Sequence, residues 1–254
     1  MKTGTVPIPP GLRVSRNSAA EQELIQAARV WLESESRDPS DIHVSDLLAQ
    51  RLAYWRRVKP LPLSDRLVTV YLVGKILHAF VISAVDQSPL VLETQDAGSL
   101  RDEELGVVFS PDMIHRGIIR ELKTTRSFYA PKYQDDIQNY LDQLVCYMAA
   151  KQHTEAQLWV LFLNLRDEQR KTRPEFRAFS VTAPLGELQA VREWMAESRK
   201  NIESALWFWE SGVRTGLDTE PGFEPHRSLP LCPQFMCGKN NCQWFGDCKP
   251  EGRV

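Results

Sequence analysis

The chain has 254 residues, of which 43% are hydrophobic and 25% charged, and a formal net charge of −2. That length is enough for one sizeable core with an appendage, and the composition is ordinary for a globular protein. The near-neutral charge excludes a chain that grips nucleic acid by overall basicity, so any DNA contact has to come from local basic patches.

Met1 to Gly11 is Pro-rich and has no apolar signal-peptide core, which makes residues 1–18 an irregular arm and the cytoplasm the expected compartment. Ala19–Glu35 carries its apolar residues at helical spacing, and Asp38 and Pro39 end the pattern. Ser45 is placed to cap a second helix over Asp46–Val58, closed by Pro60 and Pro62. Arg51, Arg56, Arg57 and Lys59 form a basic cluster there, with Tyr54 and Trp55 beside it. That cluster reads either as a track for a DNA backbone with rings to stack on bases, or as a solvated face. Ser64 caps a third helix, Asp65–Val85. Its apolar run from Leu67 approaches the length of a bilayer span, but Lys75 and His78 interrupt it, so a buried core helix and no membrane partner are expected. His78, one turn after Gly74, is a lone imidazole on an apolar face. It is either a satisfied core residue or a metal ligand through a neutral nitrogen.

The pattern then turns to short β-type runs at Leu90–Glu93, Leu105–Asp112 and Gly117–Lys123. Val107–Asp112 and Gly117–Lys123 are joined by Met113, Ile114, His115 and Arg116, and are expected to pair as a hairpin. Side chains two apart on a strand share a face, so Glu121 and Lys123 project together while Leu122 turns away. The hairpin would bring Asp112 toward Glu121. Two carboxylates beside an ammonium can hold Mg²⁺ or Mn²⁺ against a phosphodiester, with Lys123 orienting or deprotonating the attacking water or offsetting charge on phosphorus. The alternative is a charged hairpin face in water.

Tyr133–Lys151 returns to helical spacing, and Gln143 and Tyr147 share one of its faces. They can hold a phosphate or position the lysine, or simply give a half-buried helix its polar side. Cys146, on the same helix, reads as a small buried hydrophobe. Ala156–Leu165 and Glu175–Val181 read as paired strands, with a second basic cluster of Arg166, Arg170, Lys171, Arg173 and Arg177 around their turn. Ala183–Trp209 is a long amphipathic helix. The remainder is rich in Pro, Gly and Cys. Cys232, Cys237, Cys242 and Cys248 follow a C-x4-C-x4-C-x5-C spacing. In a cytoplasmic chain four such thiols suit one metal site, either a [4Fe–4S] cluster or Zn²⁺, with disulfides or free thiols as the alternative. The whole reads as an α/β fold with a central mixed sheet flanked by helices. The expected division is an arm and helices over 1–64, a core over 65–211 and a cysteine-rich tail over 212–254 packed on the core.

The order His78, Asp112, Glu121-x-Lys123, Gln143-x3-Tyr147 and then a cysteine tail resembles the RecB-like branch of the PD-(D/E)XK nuclease superfamily. Within it the sequence is similar to the small iron–sulfur nucleases, which include the CRISPR-associated exonuclease of spacer acquisition and the nuclease domain of AddB-type helicase–nucleases. The resemblance spans roughly residues 43–248 and includes His43 to Leu48 and Tyr54 to Arg57. It implies a restriction-endonuclease-like core. It also implies metal ligation by His78, Asp112, Glu121 and the main-chain carbonyl of Leu122, with Lys123 as the catalytic lysine. Gln143 and Tyr147 would contact DNA and support that lysine. One departure stands out: the family usually places one cluster cysteine early, near Ala49 and Gln50 here, yet no Cys precedes Cys146. Cys232 would supply the missing ligand.

The expected function is a metal-dependent DNA exonuclease acting on single strands or ends, in recombination, repair or CRISPR spacer acquisition. The rival is a DNA-end-binding subunit that guides DNA for a partner integrase or helicase without cutting. A zinc-stapled interaction module is a third reading.

Overall fold

A computed structural model of the chain describes residues 18–34, 38, 40–86, 94–95, 99–115, 117–125, 137–166, 171–215, 225–230, 232 and 242–248. The strand expected at Leu90–Glu93, Arg170 and Cys237 lie outside these described residues. The fold is α/β, with two mixed sheets and flanking helices.

The chain divides into two compact units, residues 1–36 with 63–72, and residues 37–62 with 73–254. In the first, helix α1 (Ser18–Ser34) lies against the start of helix α4 (Asp65–Asp86). Arg29 joins them, donating to the Leu63 carbonyl at 3.2 Å and pairing with Asp65. Ser64 caps α4 through the Leu67 amide at 3.4 Å.

In the second unit, β1 (Ile42–His43) leads into α2 (Val44–Leu48) and α3 (Gln50–Val58). The single helix expected over Asp46–Val58 is therefore two. Its cap is not Ser45: the Asp46 carboxylate accepts the His43 amide at 3.1 Å, starting the helix two residues early. Ala49 leaves helical geometry at φ −138°, ψ 57°, and α3 restarts on its carbonyl, which accepts the Ala53 amide at 2.9 Å.

Three strands, β1, β3 (Leu100–Asp102) and β4 (Val107–Phe109), form a small sheet in the order β1-β4-β3, with β1 parallel and β3 antiparallel to β4. The main sheet runs β2-β5-β6-β7-β8, from β2 (Thr94–Gln95), β5 (Met113–His115), β6 (Ile118–Thr125), β7 (Glu155–Arg166) and β8 (Thr172–Thr182). Neighbours are antiparallel except β6 and β7. A parallel pair needs a long crossover, and helix α5 (Gln138–Lys151) lies in it. Helix α6 (Leu185–Thr215) packs on α5.

Strand alternation shows directly in β7, where Ala156, Leu158, Val160 and Phe162 are buried in turn. They meet Leu144 and Met148 of α5 and Met195 and Ile202 of α6 in one apolar core. Arg192, on the inner side of α6, pairs with Asp102 at 2.5 Å and donates to the Ala149 carbonyl at 3.3 Å, tying α6 to β3 and to the end of α5. At Gly106 (φ +59°) the backbone runs beneath the Arg199 guanidinium, which bonds the Leu105 carbonyl at 2.7 Å. A Cβ at Gly106 would stand 1.7 Å from that guanidinium.

The apolar helix is not the buried core helix expected. Ile76 is 55% and Phe80 70% exposed, while Val68 and Val81 are buried. A helix apolar all round can bury only the stripe that meets protein. By length and composition α4 is long and apolar enough to cross a membrane.

Candidate active site

The expected hairpin forms, but between different segments. β4 joins the small sheet, and β5 is the strand that turns back onto β6, pairing Met113 with Arg120, Ile114 with Ile119 and His115 with Ile118. The connection closes at Gly117, whose φ of +76° suits glycine. Pro111, with no N–H to give a ladder, separates β4 from β5. Asp112 stands at that joint, one step beyond the Met113–Arg120 pair, which brings it level with Glu121.

Both oxygens of Asp112 are engaged. Oδ2 accepts the main-chain N–H of Leu122 at 2.6 Å, and Oδ1 lies 3.1 Å from His78 Nδ1. Leu122 thus meets the site through its amide, while its side chain is buried on the opposite face from Glu121. His78 reaches Asp112 from α4 and so is not a satisfied residue of the apolar core.

Glu121 is 2% exposed. Its Oε1 accepts from Lys123 Nζ at 2.5 Å, whereas its Oε2 has no hydrogen-bond partner. Burial pushes its carboxyl up to about 7; the Lys123 ammonium and, more weakly, His78 oppose the rise, and the Asp112 charge adds to it. Lys123 also donates to Gln143 Oε1 at 2.8 Å. Gln143 Nε2 in turn donates to the Tyr147 hydroxyl at 2.5 Å, and that hydroxyl donates to the Ser110 carbonyl at 3.3 Å. The chain of contacts therefore returns to the turn that carries Asp112. Tyr147 is 3% exposed, so its hydroxyl faces inward and supports the lysine and the turn.

One connected set thus holds His78, Asp112, Glu121, Leu122, Lys123, Gln143 and Tyr147. The sequence reading missed Ser110, whose carbonyl anchors Tyr147 and whose hydroxyl lies 3.0 Å from that of Ser99. A main-chain acceptor carries no residue signature, so nothing in the sequence marks it.

Among the described residues, no group of three or more His, Cys, Asp or Glu side chains stands close enough together to hold a metal ion. At the hairpin, Lys123 takes one oxygen of Glu121, and the Leu122 amide and His78 take those of Asp112. Glu121 Oε2 is what fits a divalent cation. It is a buried, unpartnered oxygen of the hard kind that Mg²⁺ and Mn²⁺ bind.

In the tail, Cys232 and Cys248 are buried and Cys242 is half-buried. Their sulfurs suit zinc or an iron–sulfur cluster by chemistry. Cys146 is buried on α5 as expected, and burial pushes its thiol up to about 12.

In the first basic cluster, Arg51, Arg57 and Lys59 have protein partners. Arg57 pairs with Asp46 at 2.9 Å and bonds the Asp41 and Ala53 carbonyls, and Lys59 pairs with Asp247 at 2.8 Å. Arg51 is bound to the tail, and Tyr54 is 1% exposed, so its ring is closed to a base. In the second cluster, Arg173 and Arg177 both pair with Glu175 on the exposed face of β8.

No family model matches this chain, and no curated protein matches it. Among solved structures it is similar to the crystal structure of SSO0001, at 17% identity and a TM-score of 0.49, over 80% of this chain and 89% of that one.

Proposed function

We propose that the chain is a divalent-metal-dependent DNA nuclease of the RecB-like PD-(D/E)XK kind, with a restriction-endonuclease-like core and a C-terminal tail whose cysteines hold a [4Fe–4S] cluster or Zn²⁺. The observation that carries this reading is the Lys123 ammonium, held between Glu121 and Gln143 one residue along the strand from the point where Asp112 meets Leu122. An ordinary surface hairpin has no need of a buried, half-satisfied carboxylate and a lysine braced from a neighbouring helix.

Asp112, Glu121 and His78 would hold Mg²⁺ or Mn²⁺, with the Leu122 carbonyl as a further donor. The bound ion would polarise the phosphate and lower the pKa of a water. Lys123, held beside Glu121, would orient the attacking water and offset negative charge building on the phosphoryl oxygens. Gln143 would fix the lysine's direction, and Tyr147 would fix Gln143. Glu121 has to give up its proton to serve as a ligand, which its position near neutrality allows. Cys232, Cys237, Cys242 and Cys248 would hold the tail's metal.

Incubating the purified chain with end-labelled single- and double-stranded DNA tests this reading. Cleavage is expected with Mn²⁺ or Mg²⁺ and none with chelator, and Asp112→Ala, Glu121→Ala and Lys123→Ala should each remove it with the fold retained. DNA binding without cutting, unchanged in Glu121→Ala, would instead point to an end-binding subunit that serves a partner integrase or helicase.

A further inference from the structure

Arg51 lies near the start of α3 with its guanidinium directed at the C-terminal tail. Its Nε donates to the Leu229 carbonyl at 2.8 Å and its Nη2 to the Arg227 carbonyl at 3.3 Å, while its Nη1 lies 3.9 Å from the Cys248 sulfur. The first two acceptors belong to the turn Pro225–Ser228 and the residue after it, and the third ends helix α7 (Phe245–Cys248). Apolar and further polar contacts close the joint. Leu229 packs with Tyr54 of α3 and Ala205 of α6, the His226 ring sits 5.0 Å from Trp55, and Trp244 Nε1 donates to the Lys59 carbonyl at 2.8 Å.

We propose that Arg51 is the positioning residue of the cysteine tail: its guanidinium fork grips the 225–229 turn and the Cys248 sulfur together and seats Cys248 against α3 before any metal binds. The planar fork presents five donors in fixed directions, so one side chain can meet three acceptors from separate stretches of chain. A lysine at this position would keep the charge but not the directions. Seating one sulfur in advance shortens the search for the others, because ligands spread along a loop otherwise have to be ordered at the moment of binding. The proposal rests on the metal-binding reading of the tail only in treating Cys248 as a ligand; the docking itself does not need it.

Alkylation of the full chain in the presence of chelator, followed cysteine by cysteine by mass spectrometry, tests it. Cys146 in the core is the internal reference. In Arg51→Met, Cys248 is expected to react roughly tenfold or more faster than in wild type, with Cys146 unchanged, because local opening exposes the tail and not the core. Arg51→Lys should show the same acceleration. Unchanged Cys248 reactivity overturns the proposal. A parallel rise at Cys146 overturns it too, since Arg51 would then support the whole fold and not the joint. Protection restored by Arg51→Lys overturns the role of the fork. Iron and zinc content of the chain as purified separates the two readings: a metal-free wild type removes the cluster reading, while the alkylation result still decides the docking.

Discussion

Lys123 is held by two acceptors, whereas Glu121 has one donor and one free oxygen, and this asymmetry governs what single substitutions should do. Tyr147→Phe leaves the Gln143 amide and the Ser110 carbonyl without their shared hydroxyl. We expect a stability loss of about 1 kcal/mol and a larger fall in cleavage rate than that loss explains, read by denaturant unfolding beside turnover. Glu121 gives a pH signature. Its carboxyl is raised from 4.5 to about 7 by burial, so between those values the folded chain holds more protons than the unfolded one. This group's contribution is therefore fully present at low pH and lost as pH rises through about 7. In chelator, the Tm should fall across that window, and Glu121→Gln should flatten the fall; an identical slope in the variant would contradict the assignment. A divalent ion needs the carboxylate, so its binding should release a proton and tighten as pH rises through the same range. Much of this site was legible because its residues obey short periods. Glu121 and Lys123 share a face by the strand repeat of two, and Gln143 and Tyr147 by the helical i, i+4 repeat. The fate of Arg51, Arg57 and Lys59 was not legible, because their acceptors are carbonyls and carboxylates brought in by the fold, in part from the far end of the chain.

At the scale of elements, the β5–β6 hairpin sets the register that brings Asp112 level with Glu121. A Cβ added at Gly117 would meet nothing within 4 Å, so any cost of Gly117→Ala comes from its positive φ and not from a clash. We expect a loss of about 1–2 kcal/mol, measured by equilibrium unfolding, and a weaker DNA-cleaving activity if the turn shifts the register; a neutral result would mean that the turn relaxes freely. The sequence suggested a hairpin, with its first strand placed over residues 107–112. The apolar run is only Val107–Phe109, and the break falls at Pro111, where a missing N–H ends one strand and frees the next to join another sheet. Asp112 kept its expected neighbour because it lies at the joint between the two strands. α4 shows the opposite limit: composition identified the helix and its ends, but it could not say which apolar side chains would find a partner.

At the scale of the molecule, α3 and α6 carry the described part of the cysteine-rich tail, which belongs to the same unit as the candidate active site. The metal proposed for the tail is open to a direct assay: iron or zinc in stoichiometric amount is expected in the purified chain, and serine at Cys232 or Cys248 should lower it, with an unchanged content contradicting the ligand assignment. The mixed α/β architecture was legible from the alternation of helical and strand periods. The small sheet was not, because β1 and β3 have only two and three residues, too few to show a period.

Turnover of end-labelled DNA by wild type and Lys123→Ala, each with Mn²⁺ and each with chelator, is the most direct test of the central claim. Cutting by wild type in Mn²⁺ only, and by Lys123→Ala in neither condition, is the result expected. Cutting that persists in the variant, or that ignores the chelator, would contradict it.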